Sequence, residues 1–157
     1  MITLRHVFVL AASALCFSCT HEVQERHAEN LSFKEAIEWS EDICLPPTAE
    51  NVFVYEQVSG MQDLERFYRF KVASSDVEAS MQATISICDA KMKKKYHYTH
   101  VAISRETYSW PDWTKTRINW WEPESITTGT HYASEEAYGL RIWGDSKTGL
   151  IYVYQSD

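Results

Sequence analysis

Histidines, cysteines, paired carboxylates and tryptophans are the side chains of this 157-residue chain whose spacing could support chemistry. His97 and His100 lie within "YHYTHVAIS", which reads as a strand, so alternation sends them to opposite faces where they are poorly placed to share a metal ion. His131 would have to come from another element. No HExxH or comparable ligand set accompanies these residues, and no metal or other cofactor is expected. Ser, His and Asp are all present, yet there is no GxSxG elbow, and the five glycines form neither a GxGxxG turn nor a P-loop. Glu122 with Glu124, and Glu135 with Glu136, fall in links between strands, where solvated turn carboxylates are common. A general acid and base drawn from such a carboxylate and His97 or His131 would make a small periplasmic hydrolase, the alternative function for this chain.

The densest aromatic stretch is "WPDWTKTRINWW", which holds four of the six tryptophans. Large rings beside polar neighbours can form a platform for a sugar, a peptide or a partner protein, and core packing is their other use. Trp110 and Trp113 flank Pro111 in a loop. The following "TKTRINWW" reads as a strand with Thr114, Thr116, Ile118 and Trp120 on its inner side, which turns Trp121 outward. Trp110, Trp113 and Trp121 are therefore the candidate binding surface.

The four cysteines are decided by the leader. Met1 to His6 carries one Arg, and Val7 to Phe17 has no charge. The uncharged run up to Ser18 is shorter than the roughly 17 residues a helix needs to cross a bilayer core, so the layout is that of a signal peptide rather than an anchor helix. Cleavage before Cys19 suits the small Ser18 and makes residues 1–18 the signal peptide. The stretch Cys16-Phe17-Ser18-Cys19 resembles the lipobox of bacterial lipoproteins, usually Leu, a small residue, Gly or Ala, then the Cys that receives the lipid. Here Leu is absent from the first place and Phe stands at the second. The resemblance implies lipidation of Cys19 with palmitate-type chains and a body anchored to a membrane, facing the periplasm; Thr20, not Asp, favours the outer membrane in a two-membrane cell. The mature part is also similar to small bacterial lipoproteins in which "LPPTAENV" precedes a first strand and "WW-EP" precedes a closing hairpin ending in Tyr-Val-Tyr, a likeness that carries over no catalytic residue.

Removal of Cys16 and lipidation of Cys19 leave Cys44 and Cys88, a candidate disulfide in an oxidising compartment. Such a bridge would close a loop of about 45 residues and contribute on the order of 4 kcal/mol; two buried thiols are the alternative. No CxxC metal motif survives cleavage.

Stepwise hydropathy places the remaining elements. Residues 19–31, including "THEVQERHAEN", are polar and read as a solvated tether. Residues 32–157 read as a single domain. Ser32 and Glu35 have capping-box spacing for a short N-terminal helix that ends before Pro46, with Phe33, Ala36 and Ile37 on one face. Val52, Val54 and Val58, then Leu64, Tyr68, Phe70 and Val72, alternate as a β-hairpin in which Arg66 is the exception on the inner side. Ser75 and Glu78 repeat the capping-box spacing before a long helix with Val77, Met81, Thr84, Ile85, Cys88 and Met92 in a stripe, ending in Lys91, Lys93, Lys94 and Lys95. "TGTHYA", "YGLRIWG" and "LIYVYQ" complete a set of strands, the last two joined as a hairpin. The expected fold is α+β: an antiparallel β-sheet with one long amphipathic helix packed on one face.

A formal net charge of −7, made more negative if Arg5 leaves with the leader, opposes binding to a phosphate backbone, and no nucleic-acid partner is expected. The expected function is a non-catalytic envelope lipoprotein, a binding or accessory module whose partners are the membrane and an envelope protein or glycan.

Overall fold

The structure is a computed structural model that describes residues 23–59, 63–93, 97–102, 112–135 and 139–156. Its centre is built from period-two sequence. Strands β2 (Glu50–Ser59) and β3 (Asp63–Lys71) pair antiparallel, and their alternation sends Val52, Val54, Tyr68 and Phe70 to one face and Tyr55 and Phe67 to the other. Strands β6 (Leu140–Asp145) and β7 (Leu150–Ser156) form the closing hairpin. Gly149 closes it with φ +77°, and its amide donates to Asp145 O at 2.9 Å; a Cβ at Gly149 would lie 2.2 Å from Val72 O. Together with β1 (Gln24–Leu31), β4 (Tyr98–Ala102) and β5 (Thr130–Ser134), the described strands make an antiparallel sheet in the order β1-β2-β3-β7-β6-β5-β4. The chain is therefore α+β.

Two helices serve the first face. Helix α1 (Phe33–Trp39) begins with the capping box: Ser32 Oγ accepts from the Glu35 amide and Glu35 accepts from the Ser32 amide. Helix α2 (Val77–Met92) buries Val77, Ser80, Met81, Thr84, Ile85 and Cys88, a stripe at helical spacing that joins Val52, Val54, Tyr68, Phe70, Leu140, Ile142, Ile151 and Val153 in one core. Its contact with β6 is close: a Cβ at Gly144 would sit 2.3 Å from Met81 Sδ and 2.6 Å from Val77 Cγ1. The capping box expected at Ser75 and Glu78 is not formed. A 3-10 turn over Ser74–Asp76 precedes α2, Asp76 takes the N-cap position without a side-chain cap, and Ser75 Oγ donates to Asp76 Oδ1 instead.

The second face has its own core of Tyr55, Phe67, Ile118, Trp120, Trp121, Ile126, Trp143 and Tyr152. Here the sequence reading is corrected: "TKTRINWW" is not a strand. Asp112–Arg117 forms a short helix, α3, followed by a turn that delivers Ile118, Trp120 and Trp121 to the sheet. Lys115 and Arg117 stand in its last turn, where cations offset the helix dipole. A second correction concerns the tether. Gln24–Leu31, within the segment expected to be solvated, is edge strand β1, paired to β2 through its main chain while most of its side chains stay exposed. Backbone pairing needs no apolar pattern, and a polar sequence suits an edge.

Candidate functional site

The residues singled out for chemistry do not converge. Cys19 and Trp110 lie outside the described residues. Trp121, expected to face outward, is only 2% exposed and stands edge-on to Phe67, Trp143 and Tyr152 at centroid distances of 5.1, 5.9 and 5.6 Å. The turn after α3 breaks the alternation that would have exposed it, and Trp120 is buried beside it. Trp113 is half-buried at the margin of this core, packed on Tyr55 and Phe67.

His97 is exposed just before β4, and its carbonyl accepts from the Glu135 amide at 2.9 Å. His131 is elsewhere, buried on β5 and stacked on Trp143, its direct cross-strand partner, with centroids 4.8 Å apart and rings 8° from parallel. Burial, with help from Arg141 and His100, pushes its pKa down to about 4. A ring held neutral between sheet and core is suited to packing. Among the described residues, no group of three or more His, Cys, Asp and Glu is placed to hold a metal ion.

Cys44 and Cys88, by contrast, meet in a disulfide with Cα atoms 5.2 Å apart. The bridge ties the segment after α1 to α2, and both residues are fully buried in the first core. Beside it lies a cluster that the sequence reading touched only through the exception at Arg66. Arg26, Glu56, Arg66 and Gln155 are consecutive cross-strand neighbours on β1, β2, β3 and β7, and they form a polar row on the otherwise apolar face under the helices. Glu56, Arg66 and Gln155 are 6%, 1% and 3% exposed, so this part of the row is interior, while Arg26 on the edge strand stays exposed. Glu56 is shared by two arginines. Arg26 Nε donates to Glu56 Oε2 at 2.8 Å, and Arg66 donates to Glu56 Oε1 through Nη2 at 3.0 Å and Nε at 3.3 Å. Arg66 Nη2 also lies 3.8 Å from Asp42 Oδ2. Its Nη1 has no hydrogen-bond partner among the described residues.

Above Gln155 opens a cavity of about 260 Å³ lined by Asp42, Lys91, Met92 and Gln155. Lys91, in the last turn of α2, donates to the carbonyls of Glu41 and Ile43, which fixes the loop carrying Asp42 and Cys44 against the helix. Partial burial lowers the Lys91 pKa, Arg66 adds to that effect, and Asp42 and Glu41 oppose it. Gln155 Oε1 is 3.8 Å from Cys44 Sγ; the sulfur is bonded to Cys88 and has no proton to donate, so this is a packing contact.

Burying a guanidinium costs several kcal/mol unless it is paired, and apolar residues in its place would commonly be as stable or more so. The row is thus the part of the molecule least explained by folding alone. One end of the row, Gln155, lines the small cavity together with Asp42, which stands 3.8 Å from Arg66. No protein-family model matches the chain, and neither a curated protein sequence nor a solved structure matches it.

Proposed function

We propose that this chain is a lipid-anchored, non-catalytic binding module of the bacterial cell envelope, joined to a membrane through Cys19 and presenting its folded body to the periplasm, at the outer membrane in a two-membrane cell. The observation that carries the reading is the Cys44–Cys88 disulfide. It accounts for the two cysteines left once Cys16 departs with the leader and Cys19 carries lipid, and it belongs to an oxidising compartment. No helix among the described residues is long and apolar enough to cross a membrane. Attachment in this reading is through the acyl chains on Cys19. The same reading takes α2 as the amphipathic cover of the first face and α1 as the short helix that leads Cys44 to it. His131, buried and stacked on Trp143, supports a packing role for that residue over a catalytic one. The partner is an envelope protein or glycan.

Cell fractionation tests the anchor. The wild-type chain is expected in the detergent-extractable membrane fraction and Cys19→Ala in the soluble periplasmic fraction or as uncleaved precursor. A Cys19→Ala protein that is processed and still fractionates with membranes would contradict the proposal.

A further inference from the structure

We infer that the cavity beside Arg66 and Gln155 is a receptor for a free carboxylate borne on a small apolar group, with the C-terminus of a peptide as the occupant that fits it. Three observations converge. Arg66 is a buried cation whose Nη1 has no hydrogen-bond partner among the described residues, while Nε and one N–H of Nη2 hold Glu56. A guanidinium binds a planar carboxylate through parallel N–H donors better than any other side chain does. Second, a carboxylate already stands at this place: Asp42 lines the cavity and lies 3.8 Å from Arg66 Nη2, with its side chain 76% exposed. That separation is too long for a good hydrogen bond, and the exposed side chain is free to give way. Asp42 is a placeholder that an incoming carboxylate displaces. Third, the cavity is sized and lined for a small group. A volume of about 260 Å³ lies just below the usual range of ligand sites, which suits a terminal residue rather than a polymer crossing the surface. Met92 supplies an apolar wall and Gln155 an amide that can donate to the second carboxylate oxygen. Lys91, committed to the Glu41 and Ile43 carbonyls, is a positioning residue that holds the rim.

This inference rests on the reading of the chain as a binding module but not on its anchor, and the two are separable by experiment. The full chain in detergent micelles is titrated with a short peptide ending in a free carboxylate, with the same peptide as its C-terminal amide, and with acetate, while NMR follows the Arg66 Nε–H and Gln155 side-chain amide signals. The acid is expected to shift both signals saturably and to bind at least about tenfold more tightly than the amide. Asp42→Asn removes the competing carboxylate and is expected to tighten acid binding about two- to fivefold, leaving the fold intact because Asp42 is exposed. Arg66→Gln abolishes the response; should that variant fail to fold, Asp42→Asn carries the test. Acetate binding as tightly as the peptide would retain the carboxylate site and assign it to small organic acids. Acid and amide titrating alike, or no response to the acid in either the wild type or Asp42→Asn, would overturn the inference whatever the amino terminus carries.

Discussion

His131 carries a pH dependence that follows from its surroundings. Its folded pKa is about 4, below the ordinary 6.5, so the unfolded chain binds the proton more readily than the folded one. The stability this neutral ring supports is fully present above pH 6.5 and is lost as pH falls from there towards 4, in total up to about 3 kcal/mol. Urea unfolding at a series of pH values is the check: the wild type is expected to weaken across that window more than His131→Phe, which keeps the stack on Trp143 but cannot titrate. Equal pH profiles would contradict the assignment. A single residue also carried the clearest hint of the candidate site. Arg66 interrupts an inner-facing row of Leu64, Tyr68 and Phe70, and a charge in a core-facing position asks for partners. Those partners were not readable, because Glu56, Asp42 and Gln155 come from three separate segments and only the strand register and the loop after α1 bring them to it.

Among the elements, α2 is fixed to the sheet in two ways that can be tested separately. At β6 the approach is so close that Gly144 has no room for a methyl group against Met81 and Val77. Gly144→Ala is expected to cost about 1–3 kcal/mol in urea unfolding, and a neutral result would mean that the helix can lift without loss. Near its other end the disulfide spans a sequence separation of 44 residues. Reduction is expected to remove up to about 4 kcal/mol of stability; an unchanged unfolding midpoint with reductant would show that the covalent tie is redundant with the packing. The two hairpins, β2 with β3 and β6 with β7, were legible because one apolar face imposes alternation and short turns impose register. Helix α3 was not, because Thr114, Thr116, Ile118 and Trp120 satisfy a period of two by composition while the chain over Asp112–Arg117 coils locally. Strand β1 escaped for the opposite reason, since an edge strand held by main-chain bonds carries no apolar signature.

At the scale of the whole molecule, the sheet is covered on both faces, by α1 and α2 on one and by the segment from α3 to Ile126 on the other. The second cover explains why the tryptophan-rich stretch is invested in core. Trp121→Ala is expected to cost about 3–5 kcal/mol and to broaden the thermal transition, whereas an effect below about 1 kcal/mol would return that ring to the surface. With Trp121 and Trp120 buried, the polar row beside the disulfide becomes the better place to look for a ligand. The claim on which compartment and anchor both depend is that the mature chain begins at a lipidated Cys19. Peptide mapping by mass spectrometry of the unreduced, detergent-extracted protein tests it directly. The account predicts an amino-terminal peptide that starts at Cys19 with added acyl mass, together with a linked pair of peptides containing Cys44 and Cys88. An intact leader, or an unmodified amino terminus, would contradict it.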